Sequence, residues 1–144
     1  LAGVRATLQS KNFRISVKLD EEMICEHVPH YFAAIANGRY FGGGIFIAPQ
    51  ARLNDGLFDV VLAGDFSLLE KIFKLLPRLY TGKIRHLKKI RMLRGQRLHI
   101  SADPPILIEA DGELIGQTDA LFEMLPSAIQ IAGMNSKVSL AIAN

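Results

Sequence analysis

The chain has 144 residues, of which 49% are hydrophobic and 22% are charged, and its 17 Lys and Arg against 14 Asp and Glu give a formal net charge of +3. This composition excludes an intrinsically disordered protein, which is too polar and too highly charged to bury a core, and the 12 Gly and 6 Pro show no collagen-like repeat. The length is close to that of an average domain and allows one well-buried core or two small ones.

The first part of the sequence predicts β-strands separated by tight turns. Residues 5–9 and 14–19 alternate polar with apolar side chains on either side of a turn at 10–12, which is typical of a β-hairpin. Three further strands are predicted from short apolar runs bounded by Gly, Asn or Pro, at 30–36, 45–47 and 57–62.

One segment departs from this β pattern. Ser67 and Glu70 have the spacing of a capping box, in which each side chain bonds the other residue's backbone N–H. Apolar residues then recur at helical spacing and predict one main helix over about 67–80. Pro77 should kink or end this helix, because it lacks a backbone donor, and Gly82 is a natural stop.

The remaining sequence again predicts strands, at 90–93, 97–101, 106–110, 121–125 and 129–132. Because strands and helices do not alternate, a parallel doubly wound sheet is disfavoured. The predicted fold is therefore mainly β, an antiparallel β-sandwich or barrel-like domain that carries one main helix.

Cys25 is the only cysteine, which excludes an internal disulfide and agrees with a reducing cytoplasm. The longest uncharged stretch, 124–136, is too short to span a bilayer, and no secretory signal is visible. The chain begins at Leu1 in sequence typical of the middle of a protein, so we expect it to be a piece of a longer protein.

The net charge conceals a strong segregation of charges. Residues 71–102 contain ten of the 17 basic residues and no Asp or Glu, which leaves seven basic and 14 acidic residues elsewhere, a balance of −7. Such a segment suits an anionic partner such as phospholipid head groups or nucleotide phosphate, or it is a solvated surface without a partner. Nucleic acid is disfavoured, because only Phe73 and Tyr80 interleave the charges and no zinc-finger or RNP spacing occurs.

Three turns carry the candidate chemistry. The glycine cluster at 37–44 lacks the Lys-Ser/Thr of a P-loop, which favours a connection between strands over a phosphate site. In the turn at 52–57, composition favours a plain turn, although Asp55 with turn carbonyls could bind a hard cation. Three carboxylates at 109–113 surround a tight turn and predict either acid–base or metal chemistry or an ordinary hairpin tip, and both remain open.

Taken together, these turns indicate a protein family more specifically than any one of them does. Motifs occur in order at 37–44 (NGRYFGGG), 47–49 (IAP), 53–60 (LNDGLFDV), 75–82 (LLPRLYTG), 109–113 (EADGE) and 122–126 (FEMLP). From about residue 5 to 132 the chain resembles the C-terminal domain of the diacylglycerol kinase and sphingosine kinase superfamily, closest to the bacterial diacylglycerol-kinase-like lipid kinases.

The resemblance implies a division of labour between two domains. Members of this family have an N-terminal nucleotide-binding domain with a Gly-Gly-Asp-Gly-Thr motif and a C-terminal β-sandwich domain, with ATP between them. This chain has no such motif, so residues 1–144 are expected to be the sandwich domain alone, without the nucleotide-binding domain and inactive by itself.

The resemblance also implies roles for individual residues. Glu113 matches the catalytic glutamate, the general base toward the lipid hydroxyl, and Asp111 is a candidate nucleotide contact. The turn at 52–57 matches a structural Mg²⁺ site, with the Asp55 carboxylate and the backbone carbonyls of Arg52 and Leu57 as ligands. The glycine cluster at 37–44 is expected to have a structural role near the cleft between the two domains.

The leading hypothesis is thus that the chain is part of an ATP- and Mg²⁺-dependent kinase of phospholipid metabolism, which acts on diacylglycerol or a related lipid. Its expected partners are the lipid substrate, its own nucleotide-binding domain and an anionic membrane surface, in the cytoplasm with peripheral membrane association. The alternative is a non-catalytic, basic membrane-surface or regulatory module on the same fold. A homodimer and the identity of the lipid are left open.

Overall fold

The computed structural model describes residues 12–128, which form a mainly β structure. Its strands are β1 Phe13–Leu19, β2 Glu22–Ala36, β3 Phe58–Gly64, β4 Ile90–Gly95, β5 Arg97–Ala102, β6 Leu107–Ala110, β7 Glu113–Gln117 and β8 Ala120–Glu123. Six of them form one antiparallel sheet in the order β4-β3-β2-β1-β5-β8, and β6 and β7 form a separate antiparallel pair. The predicted class, antiparallel and sandwich-like with one main helix, is confirmed.

Strand β1 is joined to β2 through a tight turn at Asp20 and Glu21, both of which have positive φ angles (44° and 71°). Two such residues fit the right-handed twist of a hairpin. The hairpin predicted between 5–9 and 14–19 lies partly outside the described residues, and the strand predicted at 129–132 lies entirely outside them. Within the described residues β1 pairs with β2, which is longer than the predicted strand at 30–36.

The strand predicted at 45–47 is wrong. Ile45 makes only an isolated bridge with Phe41, and the chain then runs through a buried irregular segment that includes Ile47 and Ala48. The physical reason is that this segment lies beside the main helix and not beside a strand. The backbone N–H of Phe46 donates to the carbonyl of Leu79 in that helix, at 2.8 Å. These apolar residues therefore pack beneath a helix instead of pairing in a sheet.

The main helix, α1, consists of three consecutive segments, α-helical Leu68–Glu70, π-helical Lys71–Leu75 and α-helical Leu76–Thr81. The predicted capping box is present, with the Glu70 N–H donating to Ser67 Oγ and the Ser67 N–H donating to Glu70 Oε2. A short 3₁₀ helix, Lys83–His86, follows. No helix in the described part of the chain is long and apolar enough to cross a bilayer.

Pro77 does not end α1, contrary to one of the two predicted outcomes. It stands at the start of the last α-helical segment, where a missing N–H is tolerated, and the wider π turn comes just before it. The helix ends at Gly82, as predicted, with φ at 68°. A Cβ at Gly82 would overlap the ring of Phe46, so both the backbone angle and the packing require glycine here.

The core lies on both faces of the six-stranded sheet. On one face Val61 and Ala63 pack with residues of α1, the 3₁₀ helix and the segment at 47–51. On the other face Val60 and Leu62 pack with residues of β1 and β5. Strand β3 is therefore buried on both sides, and it holds in place the turn that immediately precedes it.

Candidate functional site

The turn at residues 52–57, called here the aspartate turn, is built by local side-chain chemistry. The Asp55 Oδ1 accepts a hydrogen bond from the Leu57 N–H at 3.2 Å, and Gly56 adopts φ of 68°. Both are typical features of an Asx turn with glycine in the left-handed region. The Gln96 side chain also donates to the Gly56 carbonyl at 3.3 Å, which ties the turn to the connection between β4 and β5.

A cation and a second carboxylate complete this turn. The Arg94 guanidinium on β4 forms an ion pair with the Asp55 Oδ2, and its Nε lies 3.4 Å from the Asp59 Oδ1. Asp59 is the second residue of β3 and pairs directly with Arg94 across the sheet. The resemblance did not assign a role to either Asp59 or Arg94.

The Asp59 side chain is almost fully buried, with 10% of its surface exposed, and its Oδ2 has no hydrogen-bond partner among the described residues. Burial raises the pKa of this carboxyl, and the neighbouring Asp55 raises it further, while Arg94 acts in the opposite direction. A buried carboxylate oxygen without a partner is energetically costly, and a proton or a cation would satisfy it.

The donor atoms of the aspartate turn fit a hard cation. Asp55 and Asp59 supply carboxylate oxygens, their two negative charges exceed the single charge of Arg94, and the turn adds backbone carbonyls such as those of Arg52 and Leu57. Mg²⁺ prefers such oxygen donors. Within residues 12–128 no group of three or more His, Cys, Asp or Glu side chains could hold a metal ion by itself, so carbonyl ligands would be required.

The carboxylates predicted at 109–113 lie on the tip of the hairpin formed by β6 and β7, called here the carboxylate hairpin. Asp111 and Gly112 make the turn, with φ angles of 50° and 90°, and Glu113 is the first residue of β7. Glu113 is exposed, and its carboxylate makes no hydrogen bond or ion pair with the described residues. Its carboxylate is therefore accessible from solvent.

The three carboxylates do not act as one cluster. Glu113 pairs with Ala110 across the hairpin, whereas Glu109 pairs with Leu114. Since cross-strand partners share a face and neighbouring residues alternate, Glu109 and Glu113 project from opposite faces. The hairpin thus presents Glu113 without a carboxylate partner from Glu109.

The base of the carboxylate hairpin is held by one buried residue. The Thr118 Oγ1 accepts a hydrogen bond from the Ile106 N–H at 3.0 Å, and the Thr118 N–H donates to the Ile106 carbonyl at 2.9 Å. Thr118 is only 5% exposed. Among the described residues, no hydrogen bond or ion pair connects this hairpin with the aspartate turn, so the two candidate sites are held by different parts of the fold.

The glycine cluster forms an exposed loop between β2 and the buried segment at 45–51. Gly42 and Gly44 have positive φ angles of 50° and 90°. The Arg39 side chain donates to the Ala51 carbonyl at 3.1 Å and so closes the loop on itself. The loop is a connection, although it leads to an irregular segment and not to a strand.

The basic segment at 71–102 is not a uniform cationic surface. Lys71 is buried with its ammonium 3.8 Å from the centroid of the Tyr31 ring, and burial lowers the pKa of Lys71. Eight of the ten basic side chains have partners inside the protein, namely Lys71, Lys74, Arg78, Arg85, Lys89, Arg91, Arg94 and Arg97. For five of these cations the partner is distant along the chain and could not be identified from the sequence; they are Lys71, Lys89, Arg91, Arg94 and Arg97.

Comparison with known proteins gives a consistent result. The chain is 29% identical over 119 residues to a diacylglycerol kinase of Mycobacterium tuberculosis (strain CDC 1551 / Oshkosh), an alignment covering 83% of this chain and 37% of the relative. It is 27% identical over 131 residues to YtlR of Bacillus subtilis (strain 168), whose name provisionally assigns it to the lipid kinases; that alignment covers 91% of this chain and 42% of YtlR.

The fold also matches a crystal structure from Bacillus anthracis str. Sterne that is described provisionally as a diacylglycerol kinase. The TM-score is 0.69 at 18% identity, with 87% of this chain and 42% of that chain covered. The chain thus spans about two fifths of the length of the relatives it matches. The sequence model of a protein family, the YegS C-terminal NAD kinase beta sandwich-like domain, matches residues 1–133, and the chain belongs to this family.

Proposed function

We propose that this chain is the C-terminal domain of an ATP-dependent lipid kinase that transfers the γ-phosphate to a hydroxyl of diacylglycerol or a related lipid. Membership of the domain family and the names of the relatives support a kinase. The observation that carries the proposal within this chain is the exposed Glu113 at the tip of the carboxylate hairpin, in a turn (Asp111-Gly112-Glu113) that resembles the catalytic motif of lipid kinases.

In this proposal Glu113 acts as the general base. Its carboxylate accepts the proton of the lipid hydroxyl as the hydroxyl oxygen bonds to the γ-phosphorus and the bond to ADP breaks. The exposed position and the absence of an ion pair with the described residues leave both carboxylate oxygens available to the substrate. Asp111, beside it in the turn, is the candidate contact to the nucleotide.

The aspartate turn has a structural role in the proposal. Asp55, together with the carbonyls of Arg52 and Leu57, would hold Mg²⁺, and the unpartnered oxygen of Asp59 adds a fourth candidate ligand. A bound Mg²⁺ supplies positive charge that offsets these carboxylates. Because β3 starts directly after the turn and is buried on both faces, the turn would be fixed with respect to the core.

The remaining machinery belongs to a nucleotide-binding domain in the longer protein. The relatives are more than twice as long as the stretch that this chain matches, which leaves room for such a domain. We accordingly propose that the chain by itself does not turn over ATP, and that the complete kinase acts at the cytoplasmic face of a membrane.

Substitution of Glu113 with Gln in the protein that contains both domains tests the function. Phosphorylation of diacylglycerol should fall by about a hundredfold or more, because Gln cannot accept the proton, while the melting temperature stays unchanged. Glu109→Gln is the matched control, since Glu109 lies on the opposite face of the same hairpin. Near-normal turnover by Glu113→Gln would refute the general-base role, and no phosphorylation of any lipid by the unmodified protein would favour the non-catalytic membrane module.

A further inference from the structure

Helix α1 presents large apolar side chains to solvent. Leu69, Phe73 and Tyr80 are 66%, 70% and 58% exposed. All three lie on the solvent side of the helix, as does the exposed Pro77 between Phe73 and Tyr80. The opposite face already carries the residues that pack on the sheet, such as Leu75, which is 1% exposed. The helix thus has an apolar face in the core and a second apolar face outside it.

A second apolar face is unusual for a helix on the surface of a soluble domain, because the outer face of such a helix is normally polar. Leu68, at the start of the same helix, is also 52% exposed and extends the apolar surface. Grouped exposed apolar side chains of this kind mark a site of contact with a protein, a membrane or a ligand.

Positive charge is concentrated next to this face along the chain. Lys74 follows Phe73 directly, and three exposed cations come after the helix, Lys83, Arg85 and Lys88. None of those three pairs with an acidic side chain in the described part of the chain. The nearest acidic residue in sequence, Glu70, is taken up by Lys89 at 2.7 Å and Lys74 at 3.5 Å.

This combination matches the surface of an anionic bilayer. Apolar side chains on one helix face enter the boundary between head groups and acyl chains, while flanking Lys and Arg meet lipid phosphates. Phe and Tyr are well suited to that depth, since Tyr keeps its hydroxyl at the level of the head groups. Charge complementarity therefore selects an anionic phospholipid surface as the occupant.

We infer that α1 and the residues that follow it, 68–88, form a docking surface for anionic phospholipid bilayers. Leu69, Phe73 and Tyr80 enter the interface, and the cations Lys83, Arg85 and Lys88 bind the phosphates. The inference deepens the proposed function and rests on it, because a kinase whose substrate is a membrane lipid must reach that lipid at the bilayer.

A fluorescence experiment on the 144-residue chain tests which face meets the lipid. The chain contains no Trp, so Phe73→Trp introduces a single reporter in the docking surface. Leu121→Trp is the control, because Leu121 is similarly exposed but lies on β8, at the opposite edge of the six-stranded sheet from β4. With vesicles of phosphatidylglycerol and phosphatidylcholine, only the Trp at position 73 should shift its emission to shorter wavelength.

Co-sedimentation with the same vesicles measures the affinity. Phe73→Ser should weaken binding by about tenfold, from the loss of one buried aromatic side chain, and Lys83→Gln with Arg85→Gln should weaken it and reduce its dependence on salt. Leu121→Ser should bind like the unmodified chain. Pure phosphatidylcholine vesicles should bind the chain weakly. Circular dichroism verifies that each variant is folded.

Three results would overturn the inference. They are equal binding by Phe73→Ser and the unmodified chain, no emission shift at position 73 when the chain is bound, and self-association of the chain that Phe73→Ser abolishes without any vesicle binding. The measurement uses no ATP, so its failure leaves the kinase proposal standing. Conversely, Glu113→Gln should bind vesicles normally even if it loses all kinase activity.

Discussion

Arg94 on β4 and Asp59 on β3 lie opposite each other in the sheet, with 3.4 Å between the Arg94 Nε and the Asp59 Oδ1. The same guanidinium pairs with Asp55, so that one positive charge faces two carboxylates. The remaining negative charge and the unpartnered Asp59 Oδ2 make the aspartate turn sensitive to added cations and to pH.

Replacement of Asp55 with Asn tests the cation site. The Asn side-chain oxygen can still accept the Leu57 N–H, but the carboxylate charge is lost. Mg²⁺ at about ten times its dissociation constant should raise the free energy of unfolding of the unmodified chain by about 1.4 kcal/mol. The free energy of unfolding of the Asp55→Asn variant should not change with Mg²⁺. Calorimetry with and without Mg²⁺ measures this, with Asn54→Ala as the control in the same turn. An equal Mg²⁺ effect in the Asp55→Asn variant would contradict the assignment.

Replacement of Asp59 with Asn tests the effect of burial on this carboxyl. Its pKa in the folded protein is raised above the ordinary value of 3.8, so the folded state binds the proton more tightly than the unfolded state does. As the pH rises from below 3.8 through the raised pKa, stability is therefore lost. The melting temperature of Asp59→Asn relative to the unmodified chain should consequently improve between pH 4 and pH 7 in metal-free buffer. A difference that stays constant or worsens over this range would show that Arg94 outweighs the burial.

Replacement of Thr118 with Val tests how the carboxylate hairpin is held. The Val side chain has a similar shape but leaves the Ile106 N–H without its acceptor, which should destabilise the fold by about 1–3 kcal/mol. Thr118→Ser keeps the hydroxyl and is the matched control. In the proposed two-domain kinase, Thr118→Val should also lower kcat more than it raises KM for ATP, because Glu113 would be less well positioned. Normal stability in Thr118→Val would argue against this hydrogen bond as the anchor.

Replacement of Gly82 with Ala tests the end of α1. An Ala at φ of 68° is strained, and its Cβ would overlap Phe46, so we expect a loss of about 1–3 kcal/mol, measured by urea denaturation. Gly43→Ala is the control, because no atom lies within 4 Å of a Cβ there and its φ is not in the left-handed region. Equal stabilities of the two variants would contradict the role of the Phe46 contact.

Much of the fold follows from local patterns. The capping box at Ser67 and Glu70, the stop at Gly82 and most strands of the sheet were predictable, because each depends on neighbouring residues. The first half of β2 was not, since it is largely exposed and contains Glu22, Glu26 and Pro29, which do not resemble a buried strand. The segment at 45–47 was predicted wrongly, because an apolar run does not reveal whether its neighbour is a strand or a helix.

The candidate site, too, was predictable from the sequence only in part. The two turns are visible in the sequence as Asn-Asp-Gly and Asp-Gly-Glu, but the pairing of Arg94 with Asp55 and Asp59 depends on the register of β3 and β4, across more than thirty residues of sequence. One signal was available: Asp59 is a carboxylate in the otherwise apolar strand Phe58–Gly64, and a charge in such a strand requires a partner.

The double burial of β3 has a consequence for how such a protein can diverge. Residues 55–63 serve the aspartate turn and both faces of the core at once, so a change there alters the site and the stability together. The carboxylate hairpin is exposed along β7 and is joined to the rest through Thr118 and its neighbours, so its outer residues are free of that constraint. Variation among homologues should therefore accumulate at the exposed residues of β7 that follow the Asp111-Gly112-Glu113 turn, while the aspartate turn and β3 should change little.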